Sequence, residues 1–102
     1  MGPMSPETAQ SLENLKLERD AILMYDALAA MEKDPNRASA FRRIATNERR
    51  HADIWANRLT ELGATVPPSG GPRVRVRVII GLARILGTHA VKDLVLALEG
   101  DE

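Results

Sequence analysis

The sequence contains no cysteine. Disulfides, thiolate metal sites and cysteine nucleophiles are excluded, and any metal must be held by His, Asp or Glu. The same absence suits a chain that works in a reducing cytosol. Aromatic residues are nearly as scarce, with one each of Phe, Trp and Tyr, so a hydrophobic core has to be built from aliphatic side chains. Neither charge sign is in excess, since 14 basic side chains face 14 acidic ones. A nucleic-acid-binding domain would carry a basic surplus, and that class is set aside. Long apolar runs are missing too. The longest, residues 78–83, stops at Arg84, far short of the roughly 20 residues that cross a bilayer. The first residues, Met1-Gly2-Pro3-Met4-Ser5-Pro6, lack the basic start and apolar centre of a signal peptide. What is present, 44% apolar and 27% charged residues in a chain of 102, describes one small globular domain. A core of that size is modest, and oligomerisation is expected to supplement it.

The hydrophobic pattern is helical. Leu12, Leu15, Ile22, Tyr25, Leu28 and Ala29 recur at three- and four-residue steps, the stripe of an amphipathic helix over about residues 7–32. Ser5 is its expected N-cap, Pro6 is tolerated in the first turn, and Glu7 suits the positive end of the helix dipole. Asp34 before Pro35 breaks the pattern and reads as the cap of a second helix. Two helices joined this tightly are antiparallel neighbours. On the second helix the stripe is Phe41, Ile44, Glu48, His51, Trp55, Leu59 and Leu62, and Gly63 supplies the left-handed residue that ends it. Residues 64–72, rich in Pro and Gly, form a linker. The alternation in residues 73–78 resembles a strand, but apolar positions continue at 74, 78, 82, 86, 90, 94 and 98, too far for a strand. We therefore expect a helix over 73–102, kinked or split at Gly87-Thr88 with Thr88 as a fresh N-cap, basic along 73–92 and acidic at its end. The chain thus divides into a helical hairpin (1–63), a linker (64–72) and a basic amphipathic segment (73–102).

Three polar residues sit where apolar ones are expected. Glu18 falls on the stripe of the first helix, and Glu48 and His51 fall on that of the second. A carboxylate among buried apolar side chains is costly unless it is paired, hydrogen-bonded or bound to a cation. Glu18 precedes Asp34 by sixteen residues and Glu48 follows it by fourteen. At about 1.5 Å per residue, both lie roughly 21 to 24 Å from the turn, at nearly equal height in an antiparallel pair. Glu18, Glu48 and His51 should converge, and a mixed oxygen and nitrogen donor set suits a first-row transition metal. The alternative is a core-facing arginine that neutralises the acids, but neither Arg19 nor Arg42 falls on an apolar stripe. Glu32, Asp26, Asp53 and Glu61 read as solvated residues, with Asp26 and Glu32 as candidates to line an ion access path. Tyr25 and Trp55 read first as core.

Glu18 with Ala21 and Tyr25 beyond it, followed by Glu48-Arg49-Arg50-His51, resembles the ferritin-like di-iron carboxylate proteins. In those proteins a Glu on each of two helices and a Glu-x-x-His on each of two others surround a dinuclear site. The spacing of Glu18 and Glu48 is similar to that of the rubrerythrin and encapsulated-ferritin branches. Residues 63–102 extend the likeness to the N-terminal rubrerythrin-type domain of vacuolar-iron-transporter-like proteins. The resemblance implies an all-α fold and a partial ferritin-like four-helix bundle, completed by further chain or by oligomerisation. It implies iron, or manganese, held by Glu18, Glu48 and His51, with Tyr25 beside the site and Glu99 or Glu102 as candidate ligands of a second half-site. The pattern is incomplete here, since only one Glu-x-x-His is present. The partners implied are a metal ion, a second copy in a dimer or higher homo-oligomer, and a membrane transporter domain or membrane surface. The location implied is cytoplasmic, or membrane-associated as part of a longer protein.

Two functional classes follow. The first is an iron-binding module that captures Fe(II) and oxidises it in the manner of a ferroxidase; the second is a non-catalytic assembly or metal-delivery domain. A rubrerythrin-like peroxidase is disfavoured, because its usual Cys-x-x-Cys electron donor has no counterpart. The basic segment is either a third bundle helix with its arginines in water, or a stretch lying on anionic lipid, where each basic residue contributes about 1 kcal/mol. The first of these is the working expectation.

Overall fold

A computed structural model describes residues 4–71, 73–88 and 91. They form three helices, α1 (Pro6–Met31), α2 (Pro35–Glu61) and α3 (Val74–Leu86), and no strand is present among the described residues. Local chemistry sets the ends of the first two. The Ser5 hydroxyl oxygen accepts from the Thr8 N–H at 3.1 Å, and Pro6 opens α1. The Asp34 carboxylate accepts from the Asn36 N–H at 3.4 Å, and Pro35 opens α2. At the far end of α2, Gly63 takes φ +78°. This lets the Gly63 N–H reach the Thr60 carbonyl at 3.0 Å and the Ala64 N–H reach the Leu59 carbonyl at 2.9 Å. That pair of bonds satisfies two carbonyls that would otherwise be orphaned at the helix end.

α1 and α2 pack as an antiparallel hairpin along a seam that repeats every seven residues. On α2 the buried line is Ala38, Ala45, Ala52 and Leu59. It is flanked by Phe41, Ile44 and Trp55, which are only partly buried. The stripe read from side-chain size is therefore displaced by part of a turn. The smallest side chains occupy the line of closest approach because they let the two backbones come together, while larger residues fill the flanks. On α1 the matching lines are Thr8, Leu15 and Ala29, and Ser11, Glu18 and Tyr25; all but Glu18 are buried.

Two apolar clusters result. One, near the α1–α2 turn, contains Met24, Tyr25, Leu28 and Ala45 and is roofed by Val76, Ile79 and Ala83 of α3. The other, toward the open end, contains Leu15, Ala52 and Leu59, with Ala64 and Val66 of the linker folded back on it. The Arg19 guanidinium anchors the linker by donating to the Pro67 carbonyl at 2.8 Å. α3 starts beside Asp20, and beyond its end the Thr88 hydroxyl donates to the Glu32 carboxylate. The helix therefore runs parallel to α1.

The alternating residues 73–78 fold as the start of a helix, as length required. That helix ends at Leu86, and Gly87 turns the chain with φ +90°. The break at Gly87-Thr88 is present. Thr88 is itself helical and buried, which differs from the expected capping position, and its hydroxyl reaches Glu32. Glu99 and Glu102 lie outside the described residues. The arginines of this segment are exposed, as expected, and Arg73 and Arg75 in addition pair with the buried Asp20. Only one side of α3 faces the hairpin; Val74, Val78 and Ile85 point outward and are exposed.

Because Ala45 has no exposed surface at the closest approach of the helices, Ala45→Leu is expected to lower unfolding stability by about 1–3 kcal/mol through overpacking. Urea unfolding followed by circular dichroism checks this, with Ala30→Leu, at an exposed position of α1, as a control expected to change little.

Candidate metal centre

Between the two apolar clusters lies a polar break in the seam. Glu18 enters it from the middle of α1, seven residues from Ser11 and seven from Tyr25 on the same buried line. Glu48 and His51 enter from α2 between the buried Ala45 and Ala52. One helical turn separates Glu48 from His51, so both project from the same face. The close packing allowed by the alanines brings the three together. The His51 Nδ1 lies 3.7 Å from Glu18 Oε2 and 3.8 Å from Glu48 Oε1, and one donor atom from each residue lies within 4.8 Å of the other two. The heights counted from the turn are therefore those at which the side chains meet.

The chemistry of the donor set fits a cation. Both carboxylate side chains are about 20% exposed, and the imidazole is 45% exposed. Glu18 Oε2 is fully shielded from solvent and has no hydrogen-bond partner among the described residues. A buried carboxylate oxygen left so is costly, and a bound cation removes the cost. Metal–oxygen and metal–nitrogen bonds of about 2.0–2.2 Å place two donors of one ion up to roughly 4.2 Å apart. The observed separations are thus within reach of one ion after small side-chain adjustments. Arg19, weighed above as a neutralising partner, is engaged with the linker instead.

The three residues open into a cleft of about 340 Å³, lined also by Leu17, Asp20, Ala21, Met24, Arg75, Val76 and Ile79. α3 forms one wall. Tyr25 is buried in the turn-side cluster, its ring 6.1 Å from that of Phe41 at 33°, and does not line the cleft.

Two acids carry more structure than the sequence pattern suggests. Asp20 is 7% exposed, and its Oδ2 accepts from Arg73 Nε at 2.6 Å and from Arg75 Nη2 at 3.3 Å. The hydrogen bond to Asp20 pushes the Arg73 guanidinium above its ordinary range. The signal for Asp20 was the run of arginines in residues 73–77 with no acid of its own, which needed an anion from elsewhere. Glu32, expected in solvent, has a side chain only 4% exposed. It accepts from Thr88, from Arg37 Nε at 2.8 Å and from the Asp34 N–H at 3.3 Å. Its position fourteen residues after Glu18 returns it to the seam, where the turn closes over it. Asp26 and Glu61 do lie at the surface, paired with Arg49 and Arg58.

A hairpin that carries a carboxylate on one helix and a carboxylate and imidazole one turn apart on the other belongs to the ferritin-like class of all-α metal-binding folds. The family model for rubrerythrin matches residues 12–75. The chain belongs to the rubrerythrin family, and all three candidate ligands, Asp20 and Arg75 lie inside the matched span. No curated protein and no solved structure gives a match. Among the described residues, no helix is long and apolar enough to cross a membrane.

Glu18 occupies a seam position at which an apolar side chain would pack. In metal-free protein Glu18→Leu is expected to raise unfolding stability by about 1 kcal/mol, because it removes a shielded oxygen that has no hydrogen bond among the described residues. Thermal and urea unfolding in the presence of a chelator check this; a loss of stability would mean that Glu18 is structurally satisfied without metal.

Proposed function

We propose that this chain is an iron-binding ferritin-like module in which Glu18, Glu48 and His51 form one half of a di-iron carboxylate site. The observation that carries the reading is the shielded oxygen of Glu18, without a hydrogen-bond partner among the described residues, facing Glu48 and His51 across one cleft. Two carboxylates and a neutral imidazole balance the charge of a single divalent ion, and the same donors accept Fe(II) or Mn(II). Membership of the rubrerythrin family favours iron. Three protein ligands leave coordination positions open, and a second half-site fills them, supplied by a second copy of the chain or by further sequence. Iron held there supplies one-electron chemistry, Fe(II) being oxidised with O₂ or peroxide from solution as acceptor. Glu18, Glu48 and His51 would hold the ion between the two apolar clusters. Captured iron then passes to storage or to a membrane transporter.

Anaerobic Fe(II) titration with mass detection of oligomers, followed by admission of air, tests the reading. Saturation near one iron per chain in a dimer and a ferric absorbance change are expected. His51→Ala and Glu48→Ala should each abolish stoichiometric binding while leaving helicity intact. Binding that survives both substitutions rejects the ligand assignment. Saturable binding with no ferric change would instead favour a metal-delivery role.

A further inference from the structure

The cleft contains a cation as well as its carboxylates. Arg75 lines the same space as Glu18 and Glu48. An arginine is long, always charged and geometrically matched to a carboxylate. An uncommitted guanidinium in that wall would find Glu18 Oε2, which has no hydrogen-bond partner among the described residues. It is instead drawn to Asp20, whose Oδ2 lies 3.3 Å from Arg75 Nη2. Asp20 is itself fixed by Arg73, with Nη2 at 2.5 Å and Nε at 2.6 Å from the same oxygen. The Asp20 side chain is only 10% exposed, whereas the two guanidiniums keep one side in solvent. Asp20 stands two residues from Glu18 on α1, and one helix therefore carries both a candidate ligand and the anchor for the competing cation.

We infer that Asp20 is a positioning residue for metal binding, holding Arg75 away from Glu18 so that the Glu18 carboxylate stays open to a divalent ion. This rests on the metal-binding reading above. Without Asp20, Arg75 is free to pair with Glu18 and act as an internal competitor. The same clasp docks α3 on the hairpin, so weakened binding in an Asp20 variant alone would not separate the two roles. Removing Arg75 as well does separate them.

Anaerobic Fe(II) titration calorimetry on the full chain, with Asp20→Asn, Arg75→Gln and the double variant, decides the matter. Wild-type protein is expected to bind saturably. Asp20→Asn should bind about tenfold more weakly, because a metal ion must then displace the Arg75 guanidinium from Glu18, and a charge-assisted pair of that kind is worth about one power of ten in affinity. Arg75→Gln should bind at least as tightly as wild type, and the double variant should return to the Arg75→Gln affinity. Unchanged affinity in Asp20→Asn overturns the inference, as does a double variant that stays weak or an Arg75→Gln that binds less well. If Asp20→Asn loses helicity, Asp20→Glu, which keeps the charge that holds Arg75, takes its place: near-wild-type binding is expected, and binding as weak as with Arg75 released overturns the inference. Absence of saturable binding by wild type would reject the metal reading itself, whereas normal wild-type binding with indifferent variants would reject only the role of Asp20.

Discussion

Two carboxylates stand on the contact seam of two tightly packed helices, and the rest of the fold is arranged around them. A glutamate on such a seam is unfavourable unless something compensates it. Glu18 and Glu48 occupy the seam side by side, with apolar clusters above and below. Neither cluster can extend through them, so the core is split, and each half is closed by a different piece of the chain. α3 roofs the turn-side half and the returning linker covers the other. The cleft lies where the two covers leave a gap.

Small residues make this arrangement possible. Ala38, Ala45 and Ala52 permit the close approach that brings donors from two helices within 4.8 Å. With larger side chains on that line the helices would stand farther apart, and Glu18 would no longer reach Glu48 and His51. The alanines are thus as much a part of the site as its donors, although they contribute no ligand atom.

Charge is organised with the same economy. Chain neutrality conceals an uneven distribution, with Arg73, Arg75 and Arg77 crowded at the start of α3. Asp20 takes up two of them and ties α3 to α1. At the other end Glu32 joins the turn, Arg37 and Thr88. These two buried acids clamp α3 at both ends, and the first of them stands at the edge of the cleft. Interactions of this kind between partly shielded groups contribute more than exposed pairs such as Asp26–Arg49.

Much of the hairpin was legible from residue order. Ser5-Pro6, Asp34-Pro35 and Gly63 mark helix ends through local backbone chemistry, which needs no knowledge of distant contacts. The antiparallel pairing followed from the short turn, and counting residues outward from Asp34 was enough to level Glu18 with Glu48 and His51. The stripe of large apolar side chains flanks the line of closest approach and does not mark it, because a periodicity based on such side chains passes over alanine. Asp20 and Glu32 were missed for a different reason. The contacts that tie them to the third helix come from more than fifty residues away, Arg73 and Arg75 for Asp20 and Thr88 for Glu32, and no local rule pairs side chains at that separation. The helices of the hairpin, their ends and the level at which the donors meet follow from residue order, since these depend on periodicity and length. Which acids are buried, where α3 lies and which cation shares the cleft were settled by packing, because burial and charge pairing between distant segments arise only once the chain has folded.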